Sequence, residues 1–159
     1  DFYGKLGKTK HTVLRQSNIY GPGDKFDLKK SHVFGATITK VMTNNEIINV
    51  WGPGTETRDF LYIDDLLNFI DLALEKQESN YELFNVGCGH ETSIKELVET
   101  VIDVSGKSLS IEHDLTKPHI PTKLFLDCSK AKEMLDWKPQ VSLRDGIEKT
   151  ITWWKNNHD

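Results

Sequence analysis

Hydrophobic and polar residues follow two different spacings along this chain, and the two spacings alternate. Three short apolar runs, rich in β-branched or aromatic side chains, predict strands. They lie at residues 11–16, 47–51 and 82–87. Between the first two runs, Val33, Ile38 and Val41 recur at roughly the spacing of a helix. Strands that alternate with helices predict an α/β fold.

Polar residues at the edges of these segments predict where the helices begin. Ser31 is the predicted N-cap of the first long helix, and Ser93 and Ser142 have the spacing of capping boxes. A further strand predicted at residues 58–63 runs into Asp64–Asp65, an acidic pair that suits the N-terminus of the next helix.

The composition narrows the class of protein. The chain has 159 residues, which is enough for one domain with a real core, and its net charge of −4 argues against a dedicated nucleic-acid binder. It has no apolar run of membrane-spanning length and no signal-peptide pattern. Cys88 and Cys128 fit small buried side chains in a reducing compartment, and the scattered histidines form no metal-ligand cluster. We therefore expect a cytoplasmic protein without a metal site.

The segment SNIYGPGDKFDLKKSHVFGA, residues 17–36, is the first candidate for a ligand site. Its glycines and proline permit a turn away from the first strand, and the charged stretch then leads to His32 at the start of a helix. Histidine exchanges protons near neutral pH, so His32 is a candidate general acid or base. The alternative is a surface histidine that only supports the turn.

Three other polar or aromatic residues stand where ligands bind in α/β proteins. Arg58 offers a planar fork that grips phosphate through two parallel hydrogen bonds, with an ion pair to Asp59 or to a helix carboxylate as the alternative. Asn18 lies at the end of the first strand, where ligands of such sheets gather. Trp51 is either a nucleotide or sugar contact or a core side chain at a strand end.

None of the glycine clusters has the spacing of a dinucleotide-binding turn. The clusters at residues 21–23 and 52–55 contain proline, and the one at 87–90 lacks the third glycine. We therefore expect that this chain alone does not transfer a hydride.

Four blocks occur in a characteristic order: LRQSNIYGPGD, WGPGTETRDFLYIDDL, LFNVGCGHETSIKEL and LDCSKAKEMLDWKPQVSLRDGIEKTITWW. Together they resemble the C-terminal half of an extended short-chain dehydrogenase/reductase of the NAD-dependent epimerase/dehydratase family, from Thr12 to Trp154. The resemblance implies the α/β substrate-binding portion of a Rossmann-type nucleotide-sugar enzyme, with the N-terminal dinucleotide-binding portion absent. The family's Tyr-x-x-x-Lys pair is missing, since Tyr3 is followed by Gly7 at the lysine position. We interpret residues 1–10 as the tail of a helix from that portion and residues 11–159 as the substrate-binding domain.

The Ser-His-Val sequence after the glycine-proline loop is most similar to the GDP-L-fucose synthase subfamily, whose members are epimerases and NADP-dependent reductases. The resemblance implies NADP or NAD as cofactor, with His32 as the general acid of epimerisation. The residues implied at the nicotinamide end of the cofactor are Gln16, Ser17, Asn18, Ile19 and His32. The residues implied to hold a GDP-linked sugar are Asn18, Val33, Lys40, Trp51, Arg58 and Lys123. An arginine is common at the position of Lys40, and lysine binds phosphate without the bidentate geometry.

Several functional alternatives remain open from the sequence. The chain could be half of another nucleotide-sugar 4-epimerase or dehydratase, a non-catalytic nucleotide-sugar binding module, or a domain used only for oligomer packing. Arg58 and Lys40 favour a phosphate ligand over packing alone. The expected partners are a nucleotide sugar, the missing Rossmann portion and a second copy in a homodimer. Because that portion would complete the pocket, we expect weak nucleotide binding by this chain alone.

Overall fold

The computed structural model describes residues 2–118 and 120–158, and strands and helices alternate along them. The strands are β1 (His11–Gln16), β2 (Asn18–Tyr20), β3 (Ile47–Trp51), β4 (Thr57–Arg58), β5 (Phe60–Tyr62), β6 (Tyr81–Val86), β7 (Thr92–Ser93) and β8 (Ser110–Asp114). The helices are α1 (Phe2–Lys5), α2 (Val33–Thr43), α3 (Ile63–Lys76), α4 (Ile94–Ser105), α5 (Ser129–Leu135) and α6 (Leu143–Asn157).

Most strand pairing is parallel. β1 pairs with β6, β2 with β5 and β3 with β8 in parallel, while the short strands β4 and β7 are antiparallel. Parallel neighbours need long crossover connections, and the helices between the strands supply them. The predicted α/β class is confirmed. Within the described ranges, no helix is both long and apolar enough to cross a membrane.

The chain changes from one strand pair to the next at Ser17. The Ser17 N–H donates to the Val86 carbonyl at the end of β6, and the Asn18 N–H donates to the Asp59 carbonyl beside β5. β1 and β2 are therefore consecutive strands with different partners. This junction places residues 16–19 next to the carboxyl ends of β1 and β6.

Two of the three predicted serine caps are confirmed, and one is wrong. Ser93 and Ser142 accept hydrogen bonds from the N–H groups of Glu96 and Asp145, as predicted. The predicted cap at Ser31 is wrong, because α2 begins at Val33 and His32 occupies the N-cap position. The Ser31 N–H donates a hydrogen bond to the Asp27 carbonyl at 2.7 Å, which keeps Ser31 in the preceding turn.

The strand predicted at residues 58–63 is divided in the structure. β4 ends at Arg58, β5 covers Phe60–Tyr62, and α3 already begins at Ile63. Asp59 separates the strands, since its buried carboxylate accepts backbone N–H groups from distant loops. Asp64 and Asp65 lie in the first turn of α3, as predicted. The Asp65 carboxylate also accepts from the N–H groups of Gln140 and Val141 at 2.8 and 3.0 Å.

Two groups of buried apolar side chains form the core. One joins α2, α4 and α6 through residues that include Ile38, Leu97 and Ile147. The other packs α3 and α5 against β6 around Phe69 and Trp137. The first group supports the site described below, because α2 and α4 also form two of its walls.

Candidate functional site

A cavity of about 460 Å³ opens between α2, β3, β4, α4 and the extended segment that follows β8. Its wall combines aliphatic side chains with cations, one acid and one tryptophan. The lining residues are Leu28, Ser31, Val33, Ala36, Thr37, Lys40, Ile48, Asn49, Val50, Trp51, Glu56, Arg58, Ile94, Val98, Pro118 and Ile120. The cavity is large enough for a small organic ligand.

The spacing of these residues along α2 and β4 explains why their side chains line the same cavity. Val33, Thr37 and Lys40 are spaced by three or four residues, so they share one face of α2, while Phe34 and Ile38 point into the core. Glu56 and Arg58 are two residues apart at β4 and lie on the same face of the extended chain. The structure thus brings Val33, Lys40, Trp51 and Arg58 together, as four of the six predicted substrate contacts.

Arg58 is held at the cavity by its Nη1 atom. Nη1 donates to the Thr57 carbonyl at 2.7 Å and to the Thr122 hydroxyl. Across the part of the chain that the structure describes, its Nε and Nη2 groups have no partner. The alternative ion pair with Asp59 is not formed, because the Asp59 carboxylate accepts from the N–H groups of Cys88, Gly89 and Leu126. Arg58 therefore keeps donors for an anionic ligand.

Lys40 and Trp51 form a cationic and aromatic edge of the cavity. The Lys40 ammonium donates to the Asn49 carbonyl at 2.7 Å and lies 5.9 Å from the centre of the Trp51 ring. Burial lowers the pKa of Lys40. Lys117 approaches the same ring at 5.9 Å, and the tryptophan is 56% exposed. Trp51 is consequently a surface side chain at the cavity and not part of the core.

The other predicted substrate and catalytic residues lie outside the cavity wall. His32 is exposed, although its neighbours Ser31 and Val33 both line the cavity. The Asn18 amide donates to the Asp59 carbonyl at 3.0 Å, at the junction of β1 and β2. Lys123 is exposed and directly follows Thr122, which contacts Arg58.

The predicted cofactor residues, Gln16 to Ile19, lie together at that same junction. Gln16 is exposed at the carboxyl end of β1, and Ile19 is half-buried in β2. The Ser17 hydroxyl is buried and has no hydrogen-bond partner among residues 2–118 and 120–158. An orphaned hydroxyl at the carboxyl end of a parallel strand fits the polar end of a cofactor.

Sequence reasoning missed Glu56. This residue is only 6% exposed, and neither of its carboxylate oxygens has a hydrogen-bond partner in the described structure. The two-residue spacing from Arg58 was the signal that places it on the cavity face. Sequence reasoning also missed the segment at residues 118–122, which forms a wall because the Thr57 N–H donates to the Thr122 carbonyl at 3.0 Å.

Burial works against activation of both thiols, although the Cys88 Sγ atom lies 3.3 Å from His90 Nδ1. Burial raises the pKa of Cys88 to about 11, and burial also raises that of Cys128. A thiol in this state is protonated at neutral pH and is a poor nucleophile. The described residues also contain no group of three or more side chains that could hold a metal ion.

Comparison with known proteins assigns this chain to a family. Residues 2–87 match the sequence profile of the NAD dependent epimerase/dehydratase family. GDP-L-fucose synthase 1 of Arabidopsis thaliana is 38% identical over 146 residues, which are 89% of this chain and 44% of that protein.

Two solved structures share the fold. UDP-glucose 4-epimerase of Thermotoga maritima with UDP-glucose has a TM-score of 0.85 at 29% identity, over 99% of this chain and 50% of that one. UDP-glucuronic acid 4-epimerase of Bacillus cereus, in complex with UDP-glucuronic acid and NAD, has a TM-score of 0.77 at 32% identity, over 91% and 45%. The chain spans about half the length of the relatives it matches.

Proposed function

Because this chain belongs to the NAD dependent epimerase/dehydratase family, we propose that it is the substrate-binding half of a nucleotide-sugar epimerase/reductase. The proposed reaction is epimerisation and reduction of a GDP-4-keto-6-deoxyhexose, as the similarity to a GDP-L-fucose synthase suggests. The observation that carries the proposal is the cavity, in which Arg58 presents unused donors beside an aliphatic wall and an exposed tryptophan.

Each predicted residue has a role in this proposal. Arg58 binds the diphosphate through Nε and Nη2, and Lys40 adds a second positive charge. Trp51 and Val33 contact the nucleotide or sugar. Lys123 approaches the phosphates from the segment that Thr122 anchors.

The chemistry of the sugar ring falls to residues at the edge of this cavity. His32, exposed at the N-cap of α2, donates a proton to one face of the sugar carbon during epimerisation. A base from the Rossmann portion first removes the proton from the opposite face. Asn18 orients the keto-sugar from the junction of β1 and β2. Neither assignment requires a metal ion.

The cofactor in this proposal is NADP or NAD, which supplies the hydride for reduction when bound. Gln16, Ser17, Asn18, Ile19 and His32 border its nicotinamide end, and the buried Ser17 hydroxyl provides a hydrogen-bonding group there. The sequence contains no glycine-rich phosphate turn, so the remaining contacts belong to a Rossmann portion outside residues 11–159. We further propose that the complete protein is a cytoplasmic homodimer.

A second candidate differs in the nucleotide. The similarity to a UDP-glucose 4-epimerase extends over nearly the whole chain, and this favours a UDP-sugar as the alternative ligand of the same cavity. Arg58 and Lys40 would have the same roles, since both nucleotides carry a diphosphate.

Calorimetric titration tests the proposal. The wild-type chain is titrated with GDP-, UDP- and dTDP-sugars, and Arg58→Ala is expected to abolish the binding. Arg144→Ala is the matched control, because Arg144 forms an exposed ion pair with Asp103 away from the cavity. Binding that survives in Arg58→Ala, or no binding of any of these ligands to the wild type, would overturn the proposed function.

A further inference from the structure

Glu56 presents a buried carboxyl group to the cavity that the proposed function does not use. Its side chain is 6% exposed, and both carboxylate oxygens lack hydrogen-bond donors within residues 2–118 and 120–158. An ionised carboxylate accepts hydrogen bonds only, and burial without donors costs free energy. A residue in this state is expected to meet donors supplied from outside the described chain.

The surroundings of Glu56 restrict the kind of ligand that can supply those hydrogen-bond donors. Its main-chain carbonyl accepts from the Ile94 N–H at 2.9 Å, so the residue sits against the start of α4. Ile94, Val98, Ile48 and Val50 give the same cavity an aliphatic surface. A flat, mainly apolar group that carries its donors on one edge fits such a surface better than a polyhydroxylated sugar does.

The position of Glu56 relative to Arg58 restricts the ligand further. The two residues lie two positions apart on one face, which separates their Cα atoms by about 6–7 Å. If Arg58 binds the diphosphate, Glu56 lies near one of the two groups that the diphosphate joins, and the aliphatic surface beside Glu56 favours the flat base over the sugar. The carboxylate is therefore placed to contact the base.

We propose that Glu56 selects guanine as the base of the nucleotide sugar, an inference that rests on the proposed function. Guanine presents two adjacent donors, N1–H and the N2 amino group, which match the two oxygens of one carboxylate. Uracil and thymine instead place carbonyl oxygens on both sides of N3–H, and these oxygens repel a carboxylate.

The test compares GDP, IDP and UDP on the wild-type chain and on Glu56→Gln by titration calorimetry. The isosteric glutamine replaces one acceptor with a donor, so GDP is expected to bind about 10- to 100-fold more weakly. UDP binding is expected to stay the same or improve, because a glutamine amide complements N3–H and a neighbouring carbonyl. IDP lacks the N2 amino group, and the preference of the wild type for GDP over IDP is expected to disappear in the variant.

Each other outcome contradicts the proposal in a recognisable way. Equal weakening of GDP and UDP would mean that Glu56 contacts the ribose, which both share. Unchanged affinities for both GDP and UDP would show that Glu56 does not contact the bound nucleotide. In either case the proposed function still stands if nucleotide binding is lost in Arg58→Ala. If Arg58→Ala binds as well as the wild type, or if the wild type binds no nucleotide, then both the proposed function and the role of Glu56 are overturned.

The melting temperature shows whether the variant is still folded. Glu56→Gln removes a buried carboxyl group that has no hydrogen-bond partner among the described residues, so the melting temperature of the variant is expected to equal or exceed that of the wild type. The GDP and IDP comparison on the wild type needs no variant, and equal affinity for the two nucleotides there would by itself overturn the assignment.

Discussion

Asp59→Asn is expected to destabilise the fold more than its single-atom change suggests. The Asp59 side chain is 1% exposed and accepts from Cys88 N–H at 2.6 Å through Oδ1, and from Gly89 and Leu126 N–H at 3.2 and 3.1 Å through Oδ2. An asparagine keeps one oxygen, which suits the pair of donors on Oδ2. Its amide nitrogen then faces the Cys88 N–H, so a buried donor is left without a partner.

The size of the destabilisation follows from the hydrogen bonds that are lost or weakened. A buried donor without its acceptor costs about 1–3 kcal/mol, and the two remaining bonds lose their charge-assisted strength. We expect a loss of about 2–4 kcal/mol in the free energy of unfolding. For a domain of this size, that corresponds to a fall of about 5–15 °C in the melting temperature.

Urea unfolding followed by circular dichroism measures this loss. Asp71→Asn is the control, because Asp71 lies on the exposed face of α3 and is expected to change stability by less than about 0.5 kcal/mol. Nucleotide binding should weaken in Asp59→Asn as well, since Leu126 belongs to the segment that closes the cavity. If both variants unfold at the same urea concentration, Asp59 does not anchor these loops.

Two further changes test the packing and the thiol chemistry. Gly146→Ala is expected to lower the free energy of unfolding by about 1–3 kcal/mol, because the added methyl group would overlap the Tyr20 hydroxyl in the core. A melting temperature equal to that of the wild type would contradict this packing. Burial raises the pKa of Cys88 to about 11, so the rate at which iodoacetamide alkylates Cys88 should increase with pH up to that value. At pH 8, alkylation measured by mass spectrometry should be fast only in urea, and rapid labelling of the folded chain would refute this.

Local patterns predicted most of the fold because they depend on near neighbours. The strands β1 and β3 and the caps at Ser93 and Ser142 follow from alternation and from contacts within three residues. Ser31 failed because the preceding turn competes for this residue: its main-chain N–H donates to the Asp27 carbonyl at 2.7 Å, and α2 begins only at Val33. Sequence patterns at this range rank such competitors poorly.

The candidate site was predicted only in part, for a different physical reason. Arg58, Lys40 and Trp51 were identified by their side-chain chemistry, and the cavity that unites them came from the structure. The anchoring carboxylates act over long separations, since Asp59 contacts Leu126 across 67 positions and Asp65 contacts Gln140 across 75. No local pattern encodes such pairs, and an unpaired carboxylate such as Glu56 is recognised only once burial is known.

The way the segment after β8 is fastened bears on how this cavity can change during evolution. Its anchors to the β4 region include main-chain groups, the Thr122 carbonyl and the Leu126 N–H. Main-chain groups are present whatever the side chain, so substitutions at Ile120 are expected to change the cavity wall without releasing the segment. A family built this way can exchange one ligand for another by drift in a single stretch of chain, without rebuilding the sheet beneath it.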